Sequence, residues 1–393
     1  MLYNTDINLS GGILIDKIRK TYYNTKNGVI CIVKGVFCNM KRIDEIDKNL
    51  KVISKIERKD IVFYGAKDDG FALFGLPYTN SERFLRMPDE IGKTVSPGVA
   101  SLYANTSGGR VIFETDSESI AIRAEMPSVC HFPHMPLTGS SGFDMFADEG
   151  KGFFYSGTFV PPYDMTNGYE SILKCTCGKK MRKIMIHFPL YNDVDNLYIG
   201  LDEKAVHKPC NPYKKQAPVY YYGSSITQGG CASRPGNSYP AVISRKNSID
   251  FVCLGFSGSA HGESQMAEYI AERNMSAFVL DFDHNATDAS ELAERHYPFY
   301  EIIRRKNPDL PILMISAPVP QYQRTCFAKR RSVIMESYEK AKASGDKNVY
   351  FVDGSSFFAC DDLGLATVDG CHPTDYGFSI MAEEISAVLE RLR

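Results

Sequence analysis

A serine in a small-residue turn is the first group in this sequence whose type and position could do chemistry. Ser225 lies in the segment GSSITQG (223–229), directly after the apolar run VYYYG (219–223). Small residues past a buried strand allow a tight turn, with the serine near the N–H groups of a helix N-terminus. An ordinary strand-to-helix loop is the alternative, so a nucleophile here needs partners elsewhere in the chain.

Two further segments could supply hydrogen-bond donors to a developing oxyanion. Gly258 ends the apolar run DFVCLGFSG (250–258), and a glycine there offers an unobstructed backbone N–H. Asn285 ends a third run, AFVLDFDHN (277–285), and could aim its side-chain amide into a cleft. A plain turn glycine and a capping asparagine are the alternatives.

A candidate base lies near the end of the chain, in the segment DGCHP (369–373). Asp369, three residues before His372, could fold back onto the imidazole and fix its tautomer while the other nitrogen faces a nucleophile. A solvated surface histidine is the alternative.

The elements that must position these residues follow from the hydrophobic pattern. Apolar runs at 219–223, 250–258, 277–285, 311–318 and 348–354 alternate with amphipathic stretches. Five strands alternating with helices predict βαβ units and a parallel sheet. Reactive groups in such sheets gather beyond the carboxyl ends of the strands, which is where the candidates fall.

The preceding region has a different pattern. From about 60 to 210, segments such as RVIFET (110–115) and KIMIHFPLY (183–191) alternate polar and apolar residues, separated by Gly, Asn, Asp and Pro clusters. This pattern predicts a β-sandwich. A Pro- and Lys-rich linker (208–218) precedes the change of pattern, so we assign 40–212 to a β domain and 213–393 to a catalytic domain.

Residues 1–39 differ from both regions, and MKRIDEIDKNLKV would serve as an ordinary protein start at Met40. We interpret 1–39 as an N-terminal extension of undetermined status, with a short hairpin added to the β domain as the alternative.

Composition limits the class of protein. The 393 residues carry a net charge of -2, which excludes the basic surface typical of nucleic-acid binders. The 11 cysteines are odd in number and scattered, no apolar run reaches the length of a membrane span, and the N-terminus lacks a signal-peptide pattern. We therefore expect a cytoplasmic protein with no membrane partner. These features do not determine whether the protein forms a homo-oligomer.

The ordered set of motifs resembles the SGNH (GDSL-type) hydrolase superfamily over about 215–393. Its four blocks carry Ser, Gly, Asn and His, which match Ser225, Gly258, Asn285 and His372, and its DxxH block also matches Asp369. The resemblance implies a flavodoxin-like three-layer α/β/α domain with a five-stranded parallel sheet. One departure is Ser224, which stands where the family name has Asp and leaves open how the nucleophile turn is braced.

A second resemblance lies upstream, over roughly 60–210. The segment GFDMF (142–146) is similar to the GxDLY motif of a β domain that precedes one branch of these hydrolases. Gly142 and Asp144 match, whereas Met145 and Phe146 replace Leu and Tyr. The resemblance implies a jelly-roll-like β-sandwich.

Together the resemblances imply an ester hydrolase with no metal and no organic cofactor. Ser225 would attack the ester carbonyl, His372 would act as base and then acid, and Asp369 would orient His372. The backbone N–H groups of Ser225 and Gly258, with the Asn285 side chain, would form the oxyanion hole.

Other residues are weaker candidates. Arg234 could contact a substrate oxygen, and His284 could line the pocket, with ordinary loop and strand-end roles as the alternatives. Asp281 and Asp283 could brace the site by hydrogen bonding. The pairs HFPH (131–134) and CTC (175–177) lack the spacing of a zinc site and are read as loop residues.

The expected substrate is a small acyl ester, most simply an acetyl group on an oligosaccharide. A thioesterase or lysophospholipase is one alternative, and a non-catalytic glycan-binding protein is another. The sequence has no Trp, the side chain on which many sugar-binding modules stack their ligands. We therefore expect the β domain to pack beside the hydrolase cleft and shape its wall.

Overall fold

The computed structural model describes residues 55–391, apart from 81, 176–177, 215–216, 360 and 362–363, together with residue 52 and the strand backbone within 20–39. The chain divides into two units, Met1–Ile53 and Ser54–Arg393. In the first, three antiparallel strands follow one another in the order β1–β2–β3, namely β1 (Lys20–Thr25), β2 (Gly28–Val33) and β3 (Val36–Asn39). The proposed start at Met40 lies outside the described residues.

The second unit begins with two antiparallel sheets. One has the order β10–β7–β12–β4, and the other has the order β13–β6–β11–β8–β9 with β5 added beside β6. Their strands are β4 (Ile61–Gly65), β5 (Ala72–Phe74), β6 (Arg110–Thr115), β7 (Ser119–Glu125), β8 (Phe143–Asp148), β9 (Phe153–Phe159), β10 (Gly168–Lys174), β11 (Arg182–His187), β12 (Asn196–Asp202) and β13 (His207–Pro209). Short helices α1 (Asp89–Gly92), α2 (Pro97–Leu102) and α3 (Leu137–Ser140) connect them.

The two antiparallel sheets enclose one apolar core. Ile122 and Ile199 from the first sheet pack in the same cluster as Phe113, Phe143 and Ile186 from the second. Successive side chains of a strand point to opposite faces, so the alternation seen in the sequence places one apolar face of each sheet inward. This arrangement confirms the predicted β-sandwich.

The second half of the unit is built on a five-stranded sheet whose neighbouring strands are all parallel. Its strands are β14 (Val219–Gly223), β15 (Phe251–Gly255), β16 (Ala277–Asp281), β17 (Ile312–Ile315) and β18 (Val349–Val352). The spatial order β15–β14–β16–β17–β18 is the 2-1-3-4-5 order of flavodoxin-like folds, the fold class that the resemblance implied.

Helices cover both faces of the parallel sheet and complete three layers. Even-numbered side chains of β14 pack with α6, α7 and α8, and odd-numbered ones pack with α5 and α9. The helices are α4 (Ser225–Gln228), α5 (Tyr239–Asn247), α6 (Ser264–Ala271), α7 (Ala289–Lys306), α8 (Arg324–Ala343) and α9 (Asp375–Arg391). Within the described part of the chain, no helix is long and apolar enough to span a membrane.

The part of the second unit that contains strands β4–β13 is called the β half below. Two of its buried arginines join the β half to strand β15. The Arg86 guanidinium donates to the carbonyl oxygens of Cys253 at 2.9 Å, Gly255 at 2.8 Å and Leu102 at 2.8 Å. Arg110, also fully buried, forms an ion pair with Asp250, the residue directly before the same strand. Buried polar groups of this kind fix relative position because each must keep its partner.

We predict that Arg86→Ala lowers the free energy of unfolding by about 3 kcal/mol or more. Three carbonyl groups would lose a charged donor, and each such bond contributes roughly 1.5–3 kcal/mol. Arg123→Ala is the matched control, because its ion pair with Glu170 leaves the arginine side chain 43% exposed and should contribute at most about 1 kcal/mol. Urea denaturation measures both, and equal losses would contradict the structural role of Arg86.

Candidate functional site

The turn that carries Ser225, the candidate nucleophile, is shaped by a glycine and capped by a serine; it is called the nucleophile turn below. A Cβ on Gly223 would lie 2.1 Å from the carbonyl oxygen of Asp281, so only glycine fits there. The Oγ of Ser224 accepts a hydrogen bond from the N–H of Ile226 at 3.2 Å and caps α4. Ser224 therefore supplies an N-cap oxygen at the position where the family name has Asp, which is how this turn is braced.

Ser225, His372 and Asp369 form a continuous chain of hydrogen bonds. Ser225 Oγ lies 2.9 Å from His372 Nε2, and His372 Nδ1 lies 2.8 Å from Asp369 Oδ2. The other carboxylate oxygen accepts the backbone N–H groups of Cys371 at 3.0 Å and His372 at 2.8 Å. The two histidine nitrogens thus have the separate partners that a serine–base pair requires.

The Asp369 carboxylate is held in its ionised form. Partial burial opposes ionisation, but the backbone N–H and the imidazole of His372, with the N–H of Cys371, outweigh it and lower the pKa of Asp369 to about 2. The negative charge favours a proton on Nδ1, which leaves Nε2 to accept the Ser225 proton.

The segments that carry Gly258 and Asn285 are tied to the nucleophile turn. The Phe256 N–H donates to the carbonyl of Gly223 at 2.8 Å, and the Asn285 side-chain amide donates to the carbonyl of Phe256 at 2.9 Å. Gly258 has a φ of 63°, a left-handed conformation that glycine adopts readily. Asn285 keeps a second amide hydrogen for another acceptor.

Gln228 is a site residue that the sequence analysis did not identify. Its fully buried side chain accepts the Ser257 N–H at 2.9 Å and donates to Asn105 Oδ1 and to the Leu190 carbonyl, each at 3.1 Å. One amide therefore holds the loop that contains Gly258 and the β half together. The segment GSSITQG shows that Gln228 lies shortly after Ser225. It does not show the hydrogen-bond partners of Gln228, because they are distant in sequence.

The β half also contacts the serine and the histidine themselves. The Tyr191 hydroxyl donates to the Ser225 carbonyl at 3.2 Å, and the His134 ring centroid lies 5.3 Å from that of His372. These contacts confirm that the β half packs beside the site. In the sequence His134 has the pattern of an ordinary loop residue, and no local pattern distinguishes either His134 or Tyr191.

His284 lies close to the histidine loop. Its Nδ1 is 3.8 Å from the Sγ of Cys371, which directly precedes His372. Burial, assisted by the charge of His372, lowers the pKa of His284 to about 4, so the ring is neutral near pH 7. A pocket-lining role for this neutral, buried ring next to the His372 loop stays a prediction.

Arg234 contacts the β half through the GxDLY-like motif. Its Nε lies 3.3 Å from Oδ2 of the fully buried Asp144, and its guanidinium lies 3.9 Å from the Tyr155 ring centroid. Asp144 also accepts the Gly236 N–H at 3.0 Å. The motif carboxylate therefore anchors the loop after the nucleophile helix, and a substrate contact by Arg234 stays a prediction.

A second carboxyl braces the nucleophile turn from beneath. Asp281 Oδ2 accepts hydroxyl hydrogen bonds from Thr227 and Tyr239, both at 3.0 Å. Burial, reinforced by the neighbouring charge of Asp283, raises the pKa of Asp281 to about 8 despite these bonds. The bracing role considered for Asp281 is thus present in the structure, with a carboxyl that is protonated near neutral pH.

Comparison with known families agrees with this geometry. Residues 216–390 match the GDSL-like Lipase/Acylhydrolase family, and residues 61–206 match the GxDLY family, described as the N-terminus of Esterase_SGNH_hydro-type. These matches confirm both resemblances and make the chain an ester hydrolase, with similarity to the GDSL-like family over 216–390 and to the GxDLY family over 61–206. A sequence search of curated proteins gave no match.

Three solved structures are similar to this chain. One from Bacteroides ovatus, described as a GDSL-like lipase, is 29% identical with a TM-score of 0.77, over 84% of this chain and 98% of that one. A salicylyl-acyltransferase from a tetracycline biosynthetic pathway is 19% identical with a TM-score of 0.70, over the same shares. A family two carbohydrate esterase from Clostridium thermocellum is 14% identical with a TM-score of 0.56, over 82% of this chain and 98% of that one.

We predict that Asp281→Asn gains stability relative to the wild type as pH rises from about 4 to 8. A carboxyl whose folded pKa is raised to about 8 stabilises the fold fully only below its unfolded value near 4. Between these values the unfolded chain releases a proton that the folded chain retains, so wild-type stability falls by at most about 1.4 kcal/mol per pH unit.

Urea unfolding at pH 5, 6, 7 and 8 measures this difference. Asn keeps an oxygen that can accept from Thr227 and Tyr239, so the variant retains both bonds. Asp309→Asn, at an exposed carboxyl, controls for the loss of one charge. Parallel stability profiles for wild type and Asp281→Asn would show that the buried carboxyl is ionised.

Proposed function

We propose that this chain is a serine esterase that removes small acyl groups, most simply acetyl, from carbohydrates through an acyl-enzyme. The proposal is carried by the hydrogen-bonded order Ser225–His372–Asp369, with 2.9 Å between Ser225 Oγ and His372 Nε2. Aligned side chains of these three types are the arrangement that activates a serine hydroxyl.

In the proposed first step, Ser225 Oγ attacks the ester carbonyl while His372 Nε2 takes its proton. His372 then gives that proton to the departing sugar hydroxyl, and the acyl group stays on Ser225. Water, deprotonated by His372, releases the acid in the second step. Asp369 stays ionised throughout and stabilises the imidazolium.

The proposed oxyanion hole consists of the backbone N–H groups of Ser225 and Gly258 and the side chain of Asn285. Within the described part of the chain, neither backbone N–H donates to a protein acceptor. A Cβ on Gly258 would meet nothing within 4 Å, so the loop leaves space for a substrate. Donors that need no rearrangement are those that stabilise a developing charge best.

A carbohydrate substrate is supported by exposed aromatic rings around the site. Tyr322 is 74% exposed, and its hydroxyl lies 2.5 Å from where a Gly370 Cβ would stand, between Asp369 and His372. Tyr163 is 81% exposed and packs edge-on against His131, in the loop that carries His134. Exposed tyrosines offer flat apolar faces and a polar tip, which suit sugar rings.

The names of structural neighbours add fold-level support. They include an acetyl xylan esterase from Butyrivibrio proteoclasticus and a family two carbohydrate esterase crystallised with cellohexaose. Similarity at 12–15% identity carries the fold alone, so the sugar substrate rests on the exposed rings and on experiment.

Other acyl chemistries use the same residues. A thioesterase or lysophospholipase would pass a longer acyl chain through Ser225, and an acyltransferase, the activity named for one neighbour, would hand the acyl group to an alcohol instead of water. A non-catalytic glycan-binding protein is disfavoured by the intact hydrogen-bond chain. We also propose a cytoplasmic location and short oligosaccharide substrates, since the cysteines with described side chains are free thiols.

We predict that Ser225→Ala lowers kcat for ester hydrolysis on the order of 10⁶-fold, because the variant has no nucleophile. Ser224→Ala is the matched control at the adjacent serine. It loses only the cap on α4, about 1 kcal/mol of stability, and should keep most activity. Hydrolysis of a chromogenic acetate ester measures both. Near-wild-type activity in Ser225→Ala would show that Ser225 is not the nucleophile.

We predict acetate release from acetylated oligosaccharides and a preference for C2 over C8 esters. The assay incubates the protein with a panel of acetylated sugars and with nitrophenyl esters of both lengths, using Ser225→Ala as the blank. Tyr322→Ala should raise KM for the sugar esters without changing the rate on nitrophenyl acetate, because a sugar ring would lose its stacking partner.

Phe154→Ala is the control for the Tyr322 substitution, since it removes another exposed ring, from the edge strand β9. A preference for C8 esters would favour the lipase-like alternative. Equal KM values for Tyr322→Ala and Phe154→Ala would show that no sugar ring stacks on Tyr322.

A further inference from the structure

A group of metal-binding side chains surrounds the proposed base. His134, Cys231 and His372 each offer one ligand atom, and these three atoms all lie within 4.8 Å of one another. His134 comes from the β half, Cys231 from the loop after α4, and His372 from the loop before α9. Sequence spacing could not reveal this group, because its members are far apart in the chain.

The orientation of His372 favours a metal at one nitrogen. Asp369 already holds Nδ1 at 2.8 Å, so the nitrogen left for an ion is Nε2. A carboxylate on the opposite ring nitrogen is the usual arrangement around metal-bound histidines, where it fixes the ring and raises its basicity. The same contact that prepares His372 as a base therefore prepares it as a ligand.

Cys231 is held in an unusual backbone conformation. Its φ is 71°, in the left-handed region that residues other than glycine adopt at a cost of about 1–2 kcal/mol. The thiol contacts the backbone carbonyl of His134 at 3.4 Å, so the strained residue directs its sulfur toward the group. Strained residues of this kind cluster at sites with a function.

We propose that His134, Cys231 and His372 bind a thiophilic divalent cation, with Zn²⁺ the best match, and that the bound ion inhibits hydrolysis. Two imidazoles and one thiolate are ligands that Zn²⁺ prefers, and the fourth tetrahedral position is left to water. Binding forms an S–Zn bond, and the thiol proton passes to solvent. The inhibitory effect rests on the proposed function, whereas binding does not.

Binding of Zn²⁺ requires the three ligand atoms to move slightly closer together. Tetrahedral Zn²⁺ with nitrogen and sulfur ligands at 2.0–2.3 Å places ligand atoms roughly 3.3–3.8 Å apart. The widest separation of 4.8 Å must therefore shorten by about 1 Å. His134 is half-buried on a loop outside the strands, and its side chain can supply that movement.

The metal site amends the sequence interpretation of two motifs. The sequence pattern alone assigns HFPH (131–134) and CTC (175–177) to loops with no metal role. His134 belongs to the group, but His131 and Cys175 do not, and Cys177 lies outside the described residues. His131 instead places its Nε2 3.1 Å from the Tyr163 carbonyl oxygen.

Binding is tested by titrating the metal-free full-length protein with Co²⁺, which reports thiolate ligation through a sulfur-to-cobalt charge-transfer band. Wild type and Ser225→Ala should both show the band at one ion per chain, and Cys231→Ser should lose it. Cys371→Ser, at the neighbouring thiol, should keep it. No saturable band in the wild type, retention in Cys231→Ser or loss in Cys371→Ser would overturn the site.

Inhibition is tested with Zn²⁺, each variant's rate being normalised to its own rate without metal. Wild type should lose activity over the concentration range in which Zn²⁺ binds, and His134→Gln should need at least tenfold more Zn²⁺, whereas His131→Gln should not. Equal sensitivity of both variants would overturn the inference. If Co²⁺ binds as expected but no ester is hydrolysed, the metal site stands and the proposed function fails.

Discussion

The site depends on β14 lying between β15 and β16 in a parallel sheet. Strand β15 lies on one side of β14 and β16 on the other, and all three strands are parallel. Their carboxyl ends therefore lie at the same edge of the sheet. A direct backbone contact records this, since the Phe256 N–H donates to the Gly223 carbonyl at 2.8 Å. The segments that carry Ser225, Gly258 and Asn285 meet because of that strand order.

The β half completes the site as well as covering it. Arg86 binds the carbonyls of Cys253 and Gly255, and Gln228 joins Asn105 to the N–H of Ser257. These are buried polar contacts, which lose much of their energy if either partner moves. The position of the Gly258 loop therefore depends on both halves of the unit.

Two carboxyls near the serine are kept in opposite protonation states by their surroundings. Asp369 accepts N–H donors and contacts His372, so its pKa is lowered to about 2. The Asp281 carboxyl accepts from the Thr227 and Tyr239 hydroxyls, and its burial raises the pKa to about 8. The site thus has an ionised carboxylate beside His372 and a neutral, hydrogen-bonded carboxyl under the turn that carries Ser225.

Much of the fold was predictable because it follows from local patterns. Alternation at period two identified the sandwich strands, and buried apolar runs separated by amphipathic stretches identified the parallel sheet. The resemblance then placed Ser225, Gly258, Asn285, Asp369 and His372 at strand ends and loops, where the structure has them. The role of Ser224 as a cap could not be read from the sequence, because it depends on the local backbone.

By itself the sequence determined the two kinds of sheet and the residues able to act as nucleophile, base and acid. Only the tertiary structure decided which distant residues surround them. Gln228 reaches Asn105 across 123 residues, Tyr191 reaches Ser225 across 34, and Cys231 reaches His134 across 97. The ring of His134 in turn contacts that of His372, which lies in the last segment of the chain. Such contacts leave no local pattern, because burial and hydrogen bonding across the two halves are set by packing and not by neighbours in the chain.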